Sequence, residues 1–290
     1  MALLRRLTAL GAIAAAYSLV EARSYRLARR VVRVQAPIDR LTILHVSDTH
    51  LTGPDSPLVP FLERLPELVG TTPDLVVVTG DLIENNRGIE PVVASLSRLE
   101  AQVGRYYVLG SHDYFQSENP HFLKYLTGDR KIPVSTPAET AELESGLRDK
   151  GWISAMNQTH HLDTSLGRIR IAGVADPYMN WHETAHIHRA PGDVLALGLM
   201  HAPDVVSECI LNGFDVAFAG HTHGGQVRIP PIGSIVTNSD LPAGLAYGLN
   251  RVGAGWLHVS PGLGTSHYSP IRFCCPPEAT LLELVGSASR

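Results

Sequence analysis

Five short apolar runs in this chain each stop at a cluster of Asp, His or Gly, and that repeated punctuation restricts the fold more than any other feature. Leu41–Val46 is followed by Ser47-Asp48-Thr49-His50, Asp74–Thr79 by Gly80-Asp81, and Arg105–Leu109 by Gly110-Ser111-His112-Asp113. Leu195–Met200 is followed by His201, and Asp215–Ala219 by Gly220-His221-Thr222-His223-Gly224-Gly225. Short runs rich in Val, Ile, Leu and Tyr read as strands buried on both faces. Strands of that kind belong inside layered α/β folds, where ligands gather beyond the carboxyl ends.

The intervening segments supply the other layers. Val92, Val93, Leu96 and Leu99 recur at helical spacing. Thr136-Pro137-Ala138-Glu139 has the form of a capping box with Pro at the first helical position, opening a helix to about Lys150. Pro203 opens another that runs to Asn212, with Gly213 as its stop. His160 to Val174, turning through Ser165 and Gly167, reads as a hairpin. The predicted architecture is α/β, with mixed sheets flanked by helices and one domain over residues 41–290. Two segments, 114–136 and 176–193, are long enough to be functional loops.

Residues 1–40 form a separate apolar and basic segment. Arg5-Arg6 precede an apolar run, Leu7–Val20, and Arg23, Arg26, Arg29 and Arg30 follow it. The run is short of the roughly 20 residues that span a bilayer. It fits an export signal, a membrane-surface helix or a packed N-terminal helix, so membrane-associated, cytoplasmic and exported states all stay open. The arginines read as a solvated helix face, with attraction to anionic lipid as the lesser alternative.

Composition narrows the partners. Hydrophobic residues make up 44% of the chain and charged residues 18%, enough apolar content for a sizeable core. A net charge of −4 leaves no electrostatic footprint for nucleic acid. Of three cysteines two are adjacent, Cys274-Cys275, so neither a disulfide framework nor a Cys metal motif is expected.

Asp and His together suit Zn, Fe, Mn or Co. A lone histidine is more often a hydrogen-bonded or surface residue than a ligand. The whole set is different, because gathering that many ionisable groups in one buried place without a cation is costly. Asp81 stands centrally in the order and can bridge two cations, which clamp a phosphoryl group and generate hydroxide between them at neutral pH. A leaving alkoxide needs a proton, and His112 is the natural donor, with Asp113 beside it to orient the ring.

The ordered set Asp48-x-His50, Gly80-Asp81, Gly110-Ser111-His112-Asp113, His201 and Gly220-His221-Thr222-His223 resembles the calcineurin-like metallophosphoesterase superfamily. His201-Ala202-Pro203-Asp204, Gly224-Gly225-Gln226 and the tail Val259-Ser260-Pro261-Gly262-Leu263-Gly264 with Ile271-Arg272-Phe273 are similar to its YkuE-type subgroup. The resemblance implies two β-sheets packed as a sandwich between helices. It implies two divalent metal ions (Mn, Fe or Zn), one at Asp48, His50, Asp81 and His223, the other at Asp81, residue 111, His201 and His221. It further implies hydrolysis of a phosphoester or pyrophosphate bond in a small phosphorylated substrate, lipid-linked or a nucleotide sugar, with membrane contact through residues 1–30. The family pattern has Asn where this chain has Ser111, a weaker ligand that puts the second metal in question. That substitution is the sole support for the alternative, a non-catalytic binding scaffold.

Outside the set, His45 reads as a core histidine, His182, His186 and His188 as part of a solvated loop, and Arg272 as a surface or ion-pair residue or a phosphate contact. Tyr114 and Phe115 wall the pocket or simply pack.

Overall fold

The computed structural model describes residues 1–116, 136–165, 167–266 and 269–287. Most of the expected 114–136 loop lies outside them.

Two six-stranded mixed sheets face each other. The first contains β1 (Arg26–Val34), β2 (Arg40–Val46), β3 (Leu75–Thr79), β4 (Gly104–Val108), β5 (Ile153–Ser154) and β14 (Glu278–Gly286), in the order β1-β14-β2-β3-β4-β5. The second contains β6 (Gln158–Thr164), β7 (Gly167–Gly173), β8 (Asp193–Leu199), β9 (Val216–Ala219), β12 (Gly248–Val252) and β13 (Gly255–Val259), in the order β12-β13-β9-β8-β7-β6. A short hairpin, β10 (Arg228–Ile229) and β11 (Gly233–Ser234), stands apart. Helices α1 (Ala2–Glu21), α2 (Val59–Val69), α3 (Ile89–Ser97), α4 (Ser111–Tyr114), α5 (Thr140–Asp149) and α6 (Val206–Leu211) complete the chain.

The apolar runs form strands because both their faces are covered. On β2 and β3, Ile43, Leu75 and Val77 enter the core between the sheets with Ile171, Leu197 and Phe218. Their neighbours Leu44, Val76 and Val78 point the other way, onto Leu62 and Leu65 of α2, Val92 and Leu96 of α3, and Leu143 and Leu147 of α5. The outer face of the second sheet packs on Val206, Cys209 and Ile210 of α6. Strands β2, β3 and β4 are parallel, as are β7, β8, β9 and β13, so their carboxyl ends open on one rim.

Three local expectations change. Arg26, Arg29 and Arg30 lie on β1, a strand paired in parallel with β14, and not on a helix face. Alternation explains it: Ala28, Val32 and Val34 are buried, while Arg26 reaches Glu278 at 2.7 Å. The helix expected from Thr136 begins at Thr140. The would-be capping residues instead pair with 114–116: Gln116 N donates to Thr136 O at 2.9 Å and Ala138 N to Tyr114 O at 2.8 Å. Pro203 opens a single 3₁₀ turn before α6.

Helix α1 is held at its C-terminal end. The Tyr17 ring meets Phe273 edge-on at 5.4 Å, and Arg272 N donates to Ser18 O at 3.1 Å. Among the described residues no helix is long and apolar enough to cross a membrane.

Candidate metal centre

The strand ends converge as their order suggested. One atom each from Asp48, His50 and His223 lies within 4.8 Å of the others, and the same holds for Asp81, His201 and His221. Asp81 joins the two groups: its Oδ2 is 3.2 Å from His201 Nε2 and 3.7 Å from His50 Nε2. On the first group's side, His50 Nε2 is 3.2 Å from His223 Nε2, and Asp48 Oδ1 is 3.7 Å from His223 Nε2. Ser111 and His112 line the same cavity of about 280 Å³.

The backbone that presents these groups is strained. Asp48 (φ 49°), His50 (43°), Asp81 (50°), His221 (66°) and His223 (49°) all occupy the left-handed region. That conformation is costly for side-chain-bearing residues and persists at functional sites where the surroundings over-determine it. Gly110 is required for a different reason: a Cβ there would collide with Asp81 Oδ1 and His201 Nε2.

Hydrogen bonding shows that the cluster suits a cation. Thr79 O can only accept, so His201 Nδ1, 2.7 Å away, carries a proton. A neutral His201 then turns a bare Nε2, with no hydrogen-bond partner of its own, towards the Asp81 carboxylate. His50 repeats the pattern. Its Nδ1 donates to Glu84 Oε2 at 2.6 Å, leaving Nε2 bare towards His223. The bare His201 Nε2 and the Asp81 carboxylate are facing acceptors and need positive charge between them, whereas His223, whose Nδ1 lies 3.4 Å from Arg272 Nη2, can meet His50 with an Nε2–H. Burial opposes ionisation of His201, but Asp81, Asp176 and Asp48 hold its pKa well above the usual imidazole range. Burial likewise opposes the charge on Asp81, and His201, His112 and His50 hold its carboxyl well below the ordinary range. A divalent ion suits such a set of Asp and His donors.

The expected pairing of His112 with Asp113 is not what the structure contains. Asp113 turns inward. Its Oδ1 accepts from Leu82 N at 2.7 Å and Ile83 N at 3.2 Å, and its Oδ2 from Gly110 N at 3.0 Å. It braces the β3 and β4 loops against each other. The partner of His112 is Glu84, with Oε2 3.4 Å from His112 Nδ1. The sequence reading missed Glu84, and the signal was a lone acid three residues past Asp81. It also missed Tyr178, whose ring lies 4.8 Å from that of His221, and the Asn238 carbonyl, 3.0 Å from His221 Nε2. Tyr178 is the contribution of the 176–193 loop to the cavity.

Arg272 is not at the surface, and among the described residues it forms no ion pair. It is fully buried and donates to the carbonyls of Pro261 (2.7 Å), Gly262 (3.2 Å), Gly264 (2.6 Å) and Cys275 (3.2 Å), with His223 Nδ1 at 3.4 Å. It therefore shapes the loops behind His223. His182, His186 and His188 stay off the cavity lining, and Trp181 packs on Tyr114 with ring centroids 4.9 Å apart. His45 is a hydrogen-bonded core residue, 0% exposed.

A family model described as calcineurin-like phosphoesterase matches residues 41–225. The chain is 27% identical over 255 residues to an uncharacterized metallophosphoesterase, YkuE, of Bacillus subtilis, covering 85% of this chain and 79% of that one. It is 27% identical over 288 residues to the UDP-2,3-diacylglucosamine pyrophosphatase LpxG of Chlamydia trachomatis, covering 85% and 84%. It is 26% identical over 215 residues to the phosphodiesterase YaeI of Escherichia coli, covering 73% and 71%.

Proposed function

The chain belongs to the calcineurin-like phosphoesterase family, a family of phosphoester hydrolases, and from that premise we propose that it works through a binuclear metal centre on a small, lipid-linked phosphoester or pyrophosphate. One observation carries the binuclear reading: Asp81 Oδ2 stands between the two ligand groups, within 3.7 Å of His50 Nε2 and 3.2 Å of His201 Nε2. In this reading Asp48, His50, Asp81 and His223 hold one divalent ion. Asp81, His201 and His221 hold the other, with Ser111 at the remaining side. When bound, the two ions polarise a phosphoryl group and acidify water at the site.

The chain's own groups do the rest. His112 lies on the cavity wall to protonate the leaving oxygen, and Glu84 holds its Nδ1. Burial opposes its charge, but Asp81, Glu84 and Asp113 outweigh burial and push its pKa up to about 9. Glu84 also fixes the His50 ring, so one carboxylate sets both a ligand and the proton donor.

Apolar walls support a lipid-linked substrate. Val227, Ile235, Val236 and Ile271 line the cavity beside the ligand groups. Ile229 and Ile232, on the β10–β11 hairpin between the lining residues Val227 and Ile235, are exposed, as are Leu10, Ile13 and Val20 on α1. Both elements attach to one segment: Tyr17 packs on Phe273, and Phe273 pairs through its backbone with Gln226 and Arg228. The exposed apolar residues of α1 support membrane-surface contact through residues 1–30. The scaffold alternative rests on Ser111 alone, and the other ligand-type residues beside it favour hydrolysis.

The test is hydrolysis of a chromogenic phosphodiester by purified protein with added Mn²⁺, beside Asp81→Ala. Activity that disappears in the variant supports the centre. Equal activity in both, or none in either together with no bound metal, would refute it.

A further inference from the structure

Asp48 is reached from behind by a row of hydrogen bonds that crosses the sandwich. Ser47 Oγ lies 2.5 Å from Asp48 Oδ2, and Thr79 Oγ1 lies 2.7 Å from Ser47 Oγ. His45 Nε2 lies 2.8 Å from Thr79 Oγ1, and His258 Nδ1 lies 2.8 Å from His45 Nδ1. All five residues are buried. His45 sits on β2 and Thr79 ends β3, whereas His258 comes from β13 in the opposite sheet.

The direction of every proton in the row is forced. An ionised carboxylate only accepts, so the Ser47 hydroxyl donates to Asp48. The Thr79 carbonyl, 3.3 Å from Ser47 Oγ, is the weaker competitor for that proton. With its one proton spent, Ser47 accepts from the Thr79 hydroxyl. Thr79 in turn accepts from His45 Nε2–H. A neutral His45 then has a bare Nδ1, and His258 donates to it from Nδ1–H. Four donors point one way, and the row ends on the carboxylate.

We propose that His45, Thr79 and His258 are positioning residues for the metal centre. Their row holds Asp48 Oδ2 on the inner side, so that Oδ1 alone is presented on the side of His223, 3.7 Å from its Nε2. Asp48 is thereby fixed in orientation, further held by His221 N, which donates to Oδ1 at 3.0 Å and lies 3.3 Å from Oδ2. A purely structural tie between the sheets has no need of a buried polar row, since apolar side chains such as Ile43, Val77, Ile171 and Phe218 join them at lower desolvation cost, and the other polar ties, Trp256 Nε1 to Arg33 O and His160 Nε2 to Ser154 O, end on backbone carbonyls. The row is instead built towards one carboxylate. Outer partners of metal ligands act in this way, fixing orientation and basicity. The inference rests on the proposed role of Asp48 as a ligand.

Two measurements on the full chain test it. Thr79→Val keeps the shape and removes the hydroxyl. Titration with Mn²⁺ by calorimetry is expected to show about tenfold weaker binding at the tighter site, with Thr79→Ser within about threefold of the parent. Ile169→Ala, a change in the same core on β7 and away from the row, controls for lost stability and leaves the affinity unchanged. The second measurement needs no metal: ¹⁵N spectra of the imidazoles place the proton on Nε2 of His45 and on Nδ1 of His258. Asp48→Ala separates the two ideas. If it binds Mn²⁺ like the parent, the metal-centre reading fails. If it binds weakly but Thr79→Val does not, or Ile169→Ala weakens binding equally, or His45 carries its proton on Nδ1, the positioning role is overturned.

Discussion

Glu84 Oε2 accepts from His50 Nδ1 at 2.6 Å, and that contact ties a candidate ligand to the carboxylate that also lies 3.4 Å from His112 Nδ1. Glu84→Gln keeps the shape and an acceptor but loses the charge. His50 loses the anion that fixes its ring, and His112 loses one of the groups raising its pKa. Mn²⁺ affinity and kcat are each expected to drop about 10- to 100-fold, the usual effect of losing such a partner. The basic limb of the kcat profile moves to lower pH, because His112 then gives up its proton earlier. A limb that stayed in place while kcat fell would assign the loss to the metal and not to His112.

Ser111 occupies the cavity wall where the family pattern has Asn. A neutral hydroxyl is a shorter and weaker ligand than an amide oxygen. Ser111→Asn is therefore expected to raise retained metal, after dialysis against buffer without chelator, from nearer one towards two Mn²⁺ per chain. Elemental analysis reads the change directly. An unaltered count would mean that residue 111 does not face the second ion.

The strand ends were legible because β2, β3, β4, β8 and β9 are buried on both faces, so each apolar run stops where the chain meets the cavity. Strand β1 was not, because it is an edge strand whose arginines remain outside while Ala28, Val32 and Val34 pack. Charge of this kind is how edges avoid unwanted pairing, and along a sequence it imitates a solvated helix. The Glu84–His112 contact was hidden for another reason. Chain adjacency pointed to Asp113, but the short α4 turn faces that carboxylate inward onto Leu82, Ile83 and Gly110 N–H groups. The positive φ angles at Asp48, His50, Asp81, His221 and His223 were also invisible, since only the glycines beside them signal tight turns.

Asp193 gives a test far from the metal ligands. It opens β8 and accepts from Arg168 Nε and Arg170 Nε, each at 2.6 Å. Burial disfavours its charge, but Arg170, the Ala190 N–H and Arg168 outweigh burial and hold its pKa at about 2, below the ordinary 3.8. A carboxyl depressed on folding stabilises the protein above its unfolded pKa. That contribution is lost as pH falls from about 4 through about 2. Allowing for solvent screening of Arg168, Asp193→Asn is expected to cost about 2 kcal/mol at pH 7. Urea unfolding of both proteins at pH 7 and pH 3 checks this: the gap narrows because Asp193 protonates first in the parent's unfolded chain. A gap independent of pH would mean that lost packing, not lost charge, is responsible.

The β10–β11 hairpin carries the prediction about substrate. Ile232 at its tip is 76% exposed, and Ile235 on the same hairpin lines the cavity. An exposed apolar tip next to a polar catalytic pocket is a place for a bilayer or an acyl chain, and burying one such side chain contributes about 1.5–3 kcal/mol. Ile232→Asp removes that contribution and adds a charge that anionic lipid repels, so binding to phosphatidylglycerol-containing vesicles is expected to weaken by more than about tenfold. Hydrolysis of a vesicle-borne lipid phosphodiester falls with it. A soluble chromogenic diester, which needs only the pocket, is cleaved at the parental rate, because Ile232 is not among the residues lining the cavity. Cosedimentation and the two assays together decide the matter. Equal losses on both substrates would mean that the hairpin shapes the pocket itself, and no loss on either would remove the lipid-linked reading while leaving the metal centre untouched.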